Sequence, residues 1–118
     1  MDEVYLEHLY TVQGYITFLV RVKTGGFCGE SSFCLSEDKL SCAIKSLTKL
    51  YNSLEGRYKI NDYDSDDFML FDMQPMGHMI ITGQLGGSCN IPFLKYQYYT
   101  DQTVLNDILV SFHKMIAV

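Results

Sequence analysis

The feature that most constrains this chain is a change of hydrophobic period. From Tyr15 to Val22 the apolar residues alternate. Ile16, Phe18, Val20 and Val22 fall on one face, and Thr17, Arg21 and the following Lys23 fall on the other. A period of two is a strand with one buried face. From Leu40 onward the spacing lengthens to three and four: Leu40, Ala43, Ile44, Leu47, Leu50, Tyr51 and Leu54 form the stripe of an amphipathic helix. Ser36 stands ahead of the stripe as an N-cap. Glu37 and Asp38 bring negative charge to the positive end of the helix. Gly56 is placed to stop it in a left-handed conformation. A strand that hands over to a helix in this way must bury both apolar faces together, which points to helix packed on sheet.

The rest of the chain repeats the two periods. "TGG" (Thr24 to Gly26) is a turn, and "FCGESSFCL" is a second strand in which Gly29 predicts a bulge or bend. Val4, Leu6 and Leu9 allow one more strand before this hairpin. "RYKI" is a short strand. "DFMLFDMQ" and "HMIITGQL" are strands joined by the tight turn "QPMG", with Pro75 supplying its fixed φ. "FLKYQYYT" is the last strand, with Leu94, Tyr96 and Tyr98 on one face and Phe93, Lys95, Gln97 and Tyr99 on the other. Thr100 or Asp101 then caps a second helix whose inward face is Val104, Leu105, Ile108, Leu109, Phe112, Met115 and Ile116. The expected fold class is α+β: one domain over 1–118, with a twisted, mostly antiparallel sheet of about five or six strands and two amphipathic helices packed on it.

Composition narrows the function. The chain has 118 residues and 47% apolar residues, enough for one core of ordinary size. Its formal net charge is −5, which argues against nucleic acid as direct ligand and suits a basic partner. The longest strongly apolar run, "GYITFLV", is far short of the ~20 residues that span a bilayer. No secretory signal is visible, so the cytoplasm is the expected location. Cys28, Cys34, Cys42 and Cys89 form no Cys-x-x-Cys pair and read as small buried residues. Met69, Met73, Met76 and Met79 read as core and sheet-face filling.

The stretch "NDYDSDDF" concentrates Asp62, Asp64, Asp66 and Asp67 around Tyr63 and Ser65. Asp62, Asp64 and Asp66 match the opening of a calcium loop, but its sixth position, where Gly is needed, is Asp67, and its twelfth, where Glu is needed, is Met73. No metal site is expected. The glycine-rich segments lack a following helix or a Gly-Lys-Ser/Thr end, so they are turns and not phosphate cradles. His8, His78 and His113 carry no signature of a nucleophile–base pair. The chain reads as a non-catalytic protein without cofactors that works by binding another protein. Two further surfaces suggest themselves for such binding: the tyrosines of "KYQYYT" and the loop "GGSCN".

Several segments, in order, resemble a known family. They are "FLVRVKTGGFCGESSFCLSEDKL", "LTKLYNSLEG", "MGHMIITGQLGG" and "FLKYQYYTDQTVL". From about Tyr15 to the C-terminus the chain resembles the WapI-type immunity proteins, small cytoplasmic antidotes of bacterial contact-dependent toxins. "TDQT" followed by Leu is the most specific element. The chain departs from the family at its N-terminus, where "MDEVYLEHLYTVQGY" lacks the expected Trp. The resemblance implies binding and neutralisation of one cognate toxin C-terminal domain. An acidic inhibitor suits a nuclease with a basic cleft, and opposite fields speed the encounter. The expected partner-binding residues are Asp62, Tyr63, Asp64, Asp66 and Asp67. The alternatives are a solvated acidic loop for the stretch, and an accessory or regulatory binding module, such as a homodimer, for the chain.

Overall fold

The computed structural model describes residues 3–86 and 94–116. Strands β1 (Glu3–Val12), β2 (Tyr15–Thr24) and β3 (Phe27–Ser36) pair antiparallel in the order β1-β2-β3. The alternation in β2 is realised, with Ile16, Phe18, Val20 and Val22 all buried. The segment around Val4 and Leu6 is a full strand. A register shift between His8 and Tyr10 leaves Leu9 outside the ladder. Val12 pairs with Tyr15 across Gln13 and Gly14, both at positive φ (51° and 81°), a turn whose twist matches that of its strands. The Gly14 carbonyl accepts the Glu37 N–H at 2.9 Å and so ties this hairpin to the helix start.

Helix α1 (Glu37–Ser53) begins where the Ser36 hydroxyl accepts the Lys39 N–H at 3.2 Å. Leu40, Ala43, Ile44, Leu47 and Leu50 are its buried stripe. The left-handed residue that ends it is Leu54 (φ 58°), whose N–H bonds the Leu50 carbonyl at 2.9 Å. Gly56 does not fill that role. It has φ 98° but already belongs to the next strand, because the chain turns as soon as the buried stripe ends at Leu50.

Strands β4 (Gly56–Asn61), β5 (Phe68–Met73), β6 (His78–Leu85) and β7 (Leu94–Asp101) form a second antiparallel sheet in sequence order. A single 3₁₀ turn, Pro75–Gly77, joins β5 to β6. Helix α2 (Gln102–Ile116) follows β7 directly. Asp101 caps it by accepting the Thr103 N–H at 2.9 Å, and also the Thr103 hydroxyl.

The architecture is α+β, but the strand count and sheet division differ from expectation. There are seven strands among the described residues, in sheets of three and four, where one sheet of five or six was expected. The reason lies in α1, which packs against both β3 and β4 and holds them apart as ladder partners. Helix α2 packs on α1 and touches β1 and β7. Phe18 of β2 meets Phe112 of α2 edge-on at 5.5 Å and Phe33 of β3 at 5.9 Å, which places the core between the sheets and the helix pair.

Four further expectations meet the structure here. β3 carries no bulge at Gly29, which pairs with Val22 in unbroken register. Gly29 serves a close approach instead: a Cβ there would lie 2.6 Å from Leu94 Cδ2 of the other sheet. Met69, Met73 and Met79 are core, but Met76 is 91% exposed at φ 64°, at the tip of the 3₁₀ turn. Tyr96 and Tyr98 are buried and Tyr99 is exposed, as strand alternation requires. The cysteines are not core residues: Cys28 and Cys42 are exposed and Cys34 is half-buried. Cys28 and Cys34 have the outward parity of β3, opposite to Phe33 and Leu35, and Cys42 flanks the α1 stripe. Cys89 lies outside the described residues.

Candidate protein-binding site

The acidic stretch is the connection between β4 and β5, closed by the Asn61–Phe68 pair and by the Asp62 N–H donating to the Asp67 carbonyl at 2.9 Å. Its four carboxylates do not act alike. Asp62 and Asp67 are 8% and 2% exposed. One Asp62 oxygen accepts the Cys34 N–H at 2.7 Å and the other accepts the Ser65 hydroxyl at 2.6 Å. Asp67 accepts the Ser31 hydroxyl at 2.8 Å and the Gly86 N–H at 2.9 Å. Buried carboxylates need such donors, because a charge taken out of water without them costs about 5 kcal/mol.

These bonds have a structural consequence. The Tyr63 N–H donates to the Cys34 carbonyl at 3.0 Å, while Asp62 takes the Cys34 N–H. The loop thus supplies both partners that Cys34 would find on a neighbouring strand. It occupies that position on the β3 edge and joins the two sheets. The expected site residues divide accordingly. Asp62 and Asp67 are buried and hold the loop through these bonds, at the floor of the groove between the loop and β3. Tyr63, Asp64 and Asp66 project from it, with Tyr63 68% exposed. Neither Asp64 nor Asp66 has an ion-pair partner among the described residues.

Residues not singled out in the sequence extend this surface. The Tyr15 ring lies 5.3 Å from the Tyr63 ring, inclined at 41°. Tyr63 holds the Tyr15 hydroxyl above the usual tyrosine range. Tyr10, Val12 and Tyr15 are exposed on the outer face of the first sheet. Tyr10 lines a groove of about 280 Å³ with Thr17, Ser32 and Asp64. The signal for Tyr15 was present in β2: its parity is opposite to Ile16, Phe18 and Val20. At the far end of the same face Arg21 pairs with Glu30 at 3.0 Å and Lys23 with Glu3 at 3.9 Å. Charge is balanced there and unbalanced beside Tyr63.

His78 and His113 are exposed, and the His8 ring bonds Thr11 at 2.8 Å. Among the described residues no group of three or more His, Cys, Asp or Glu has the geometry to hold a metal ion. No helix among them is long and apolar enough to cross a membrane. The "GGSCN" loop beyond Gly86 lies outside the described residues. Comparison with protein-family models, with curated proteins and with solved structures gives no match.

Proposed function

We propose that this chain is a non-catalytic binding protein of the immunity type. In this reading it acts in the cytoplasm, holds a basic toxin domain, and covers the surface that domain uses on its substrate. The observation that carries the reading is the division of the acidic loop. Asp62 and Asp67 fix its base, and Tyr63, Asp64 and Asp66 are held outward beside Tyr10 and Tyr15. A rigid loop loses little entropy on association. Tyrosine is favoured at interface anchors. Paired tyrosine faces attract Arg or Lys through the ring quadrupole, and the adjacent carboxylates add to that attraction. The segment resemblance to WapI-type immunity proteins supports the same role.

The test is capture of a partner from the native strain by the wild-type chain and by Tyr63→Ala/Asp64→Asn/Asp66→Asn. The expected result is a basic toxin domain retained by the first and released by the second. A homodimeric accessory module is the second reading. One observation favours it: β1 is an edge strand with Tyr5, Leu9, Tyr10 and Val12 exposed. Sedimentation velocity separates the two, since only the second predicts a dimer of the isolated chain.

A further inference from the structure

The charge of this acidic chain is unevenly placed, and the unevenness marks a second surface. β4 is an edge strand of the second sheet, with β5 on one side and, among the described residues, no strand on the other. Helix α1 packs against it. Two grooves run along this seam, about 480 Å³ and 600 Å³, and Tyr58 lines both. Lys39 and Lys59 line the first; Lys49 and Arg57 line the second. All four are exposed, and none has a carboxylate partner among the described residues. Of the carboxylates lining the grooves, Asp62 is already occupied by Cys34 and Ser65, and only Glu55 is exposed.

We propose that this seam binds an extended, carboxylate-bearing segment of a partner protein, added to the open edge of β4 as a further strand. An edge strand offers unpaired N–H and C=O groups to such a segment. Arg57 and Lys59 are two apart in β4, so they share a face and sit roughly 6–7 Å from each other along the strand. Acidic residues at alternate positions of an added strand have that same spacing, and opposite charges across a strand pair attract. Lys39 and Lys49 lie roughly 15 Å apart along α1, which matches the length of a short strand. Tyr15 and Tyr63 border the first groove, so the seam adjoins the Asp64 and Asp66 surface but selects the opposite charge.

The test is a backbone NMR titration of the intact chain with a blocked peptide alternating Glu and Thr. Expected are shifts confined to Gly56–Asn61 and the facing residues of α1. Affinity should fall about tenfold on raising salt from about 0.05 to 0.3 M. The variant Lys39→Gln/Lys49→Gln/Arg57→Gln/Lys59→Gln should lose at least about tenfold in affinity. The variant Asp64→Asn/Asp66→Asn should bind the peptide at least as tightly as the wild type, so failure here is separate from failure of the loop reading. Three results would overturn the proposal. The first is no shift at millimolar peptide; self-association of the quadruple variant beside it would make the cations only a guard of the edge. The second is equal shifts from a peptide alternating Lys and Thr. The third is tighter binding of an oligothymidylate at the same residues, which would make the seam a nucleic-acid site.

Discussion

Asp62 accepts the backbone N–H of Cys34 at 2.7 Å, across 28 positions of the chain. With the Tyr63 N–H on the Cys34 carbonyl, this bond ties the β4–β5 loop to the edge of the first sheet. It also explains why part of an acidic cluster is buried: the carboxylate replaces a missing strand. With Asp67 on Ser31 and Gly86, it turns a run of like charges into a structural joint.

The joint predicts a sharp contrast within one loop. Asp67→Ala and Asp62→Ala each strand buried donors, so each should cost about 2–4 kcal/mol. Melting should fall by about 10 °C. Asp64→Asn and Asp66→Asn should stay within about 0.5 kcal/mol. Thermal denaturation of the four variants checks this. Equal effects at all four positions would contradict the division.

The two close approaches of glycine should differ in cost. At Gly29 a Cβ meets the flexible end of Leu94, which can move. At Gly83 it meets the Phe68 carbonyl oxygen at 2.7 Å and the Tyr96 ring. Gly29→Ala should therefore cost about 1 kcal/mol and Gly83→Ala about 3 kcal/mol or more. Urea denaturation of both variants measures the order, and a reversed order would contradict the packing described.

Met76 stands at φ 64° with its side chain in solvent. A left-handed conformation costs an L-residue roughly 1–2 kcal/mol, and there are almost no contacts to lose. Met76→Asn should raise the melting temperature by a few degrees, about 2–4 °C. A lower value would show that the side chain makes contacts its exposure does not suggest.

Asp101 gives the chain an acid-sensitive cap. The Thr103 hydroxyl, then the Thr103 N–H, hold its carboxyl below the ordinary carboxylate range. A depressed folded value means stability present above the unfolded value and lost as pH falls through the folded one. The window therefore lies below pH about 4. Asp101→Asn should flatten the stability profile in that window and leave the slope near neutrality unchanged, as acid titration of unfolding would record.

Regular elements were legible because period reports face. Ile16 to Val22, the α1 stripe from Leu40 to Leu50 and the α2 face all fell where spacing placed them. The acidic loop was not legible, because it has no period. Which carboxylate turns inward depends on Cys34 and Ser31, far away in sequence. Cys28 and Cys34 were misplaced by residue type where parity with Phe33 would have served. The cationic seam needed the fold, since Lys39 and Lys49 meet Arg57 and Lys59 only once α1 lies beside β4.

Tyr63, Asp64 and Asp66 are proposed to hold a basic toxin domain. The most direct measurement is inhibition of the captured domain's activity by the wild-type chain and by Tyr63→Ala/Asp64→Asn/Asp66→Asn, across a salt series. Inhibition by the wild type should weaken with salt, and the variant should lose at least about a hundredfold, roughly 2.7 kcal/mol. Equal inhibition by both chains with the same salt dependence would contradict the proposal.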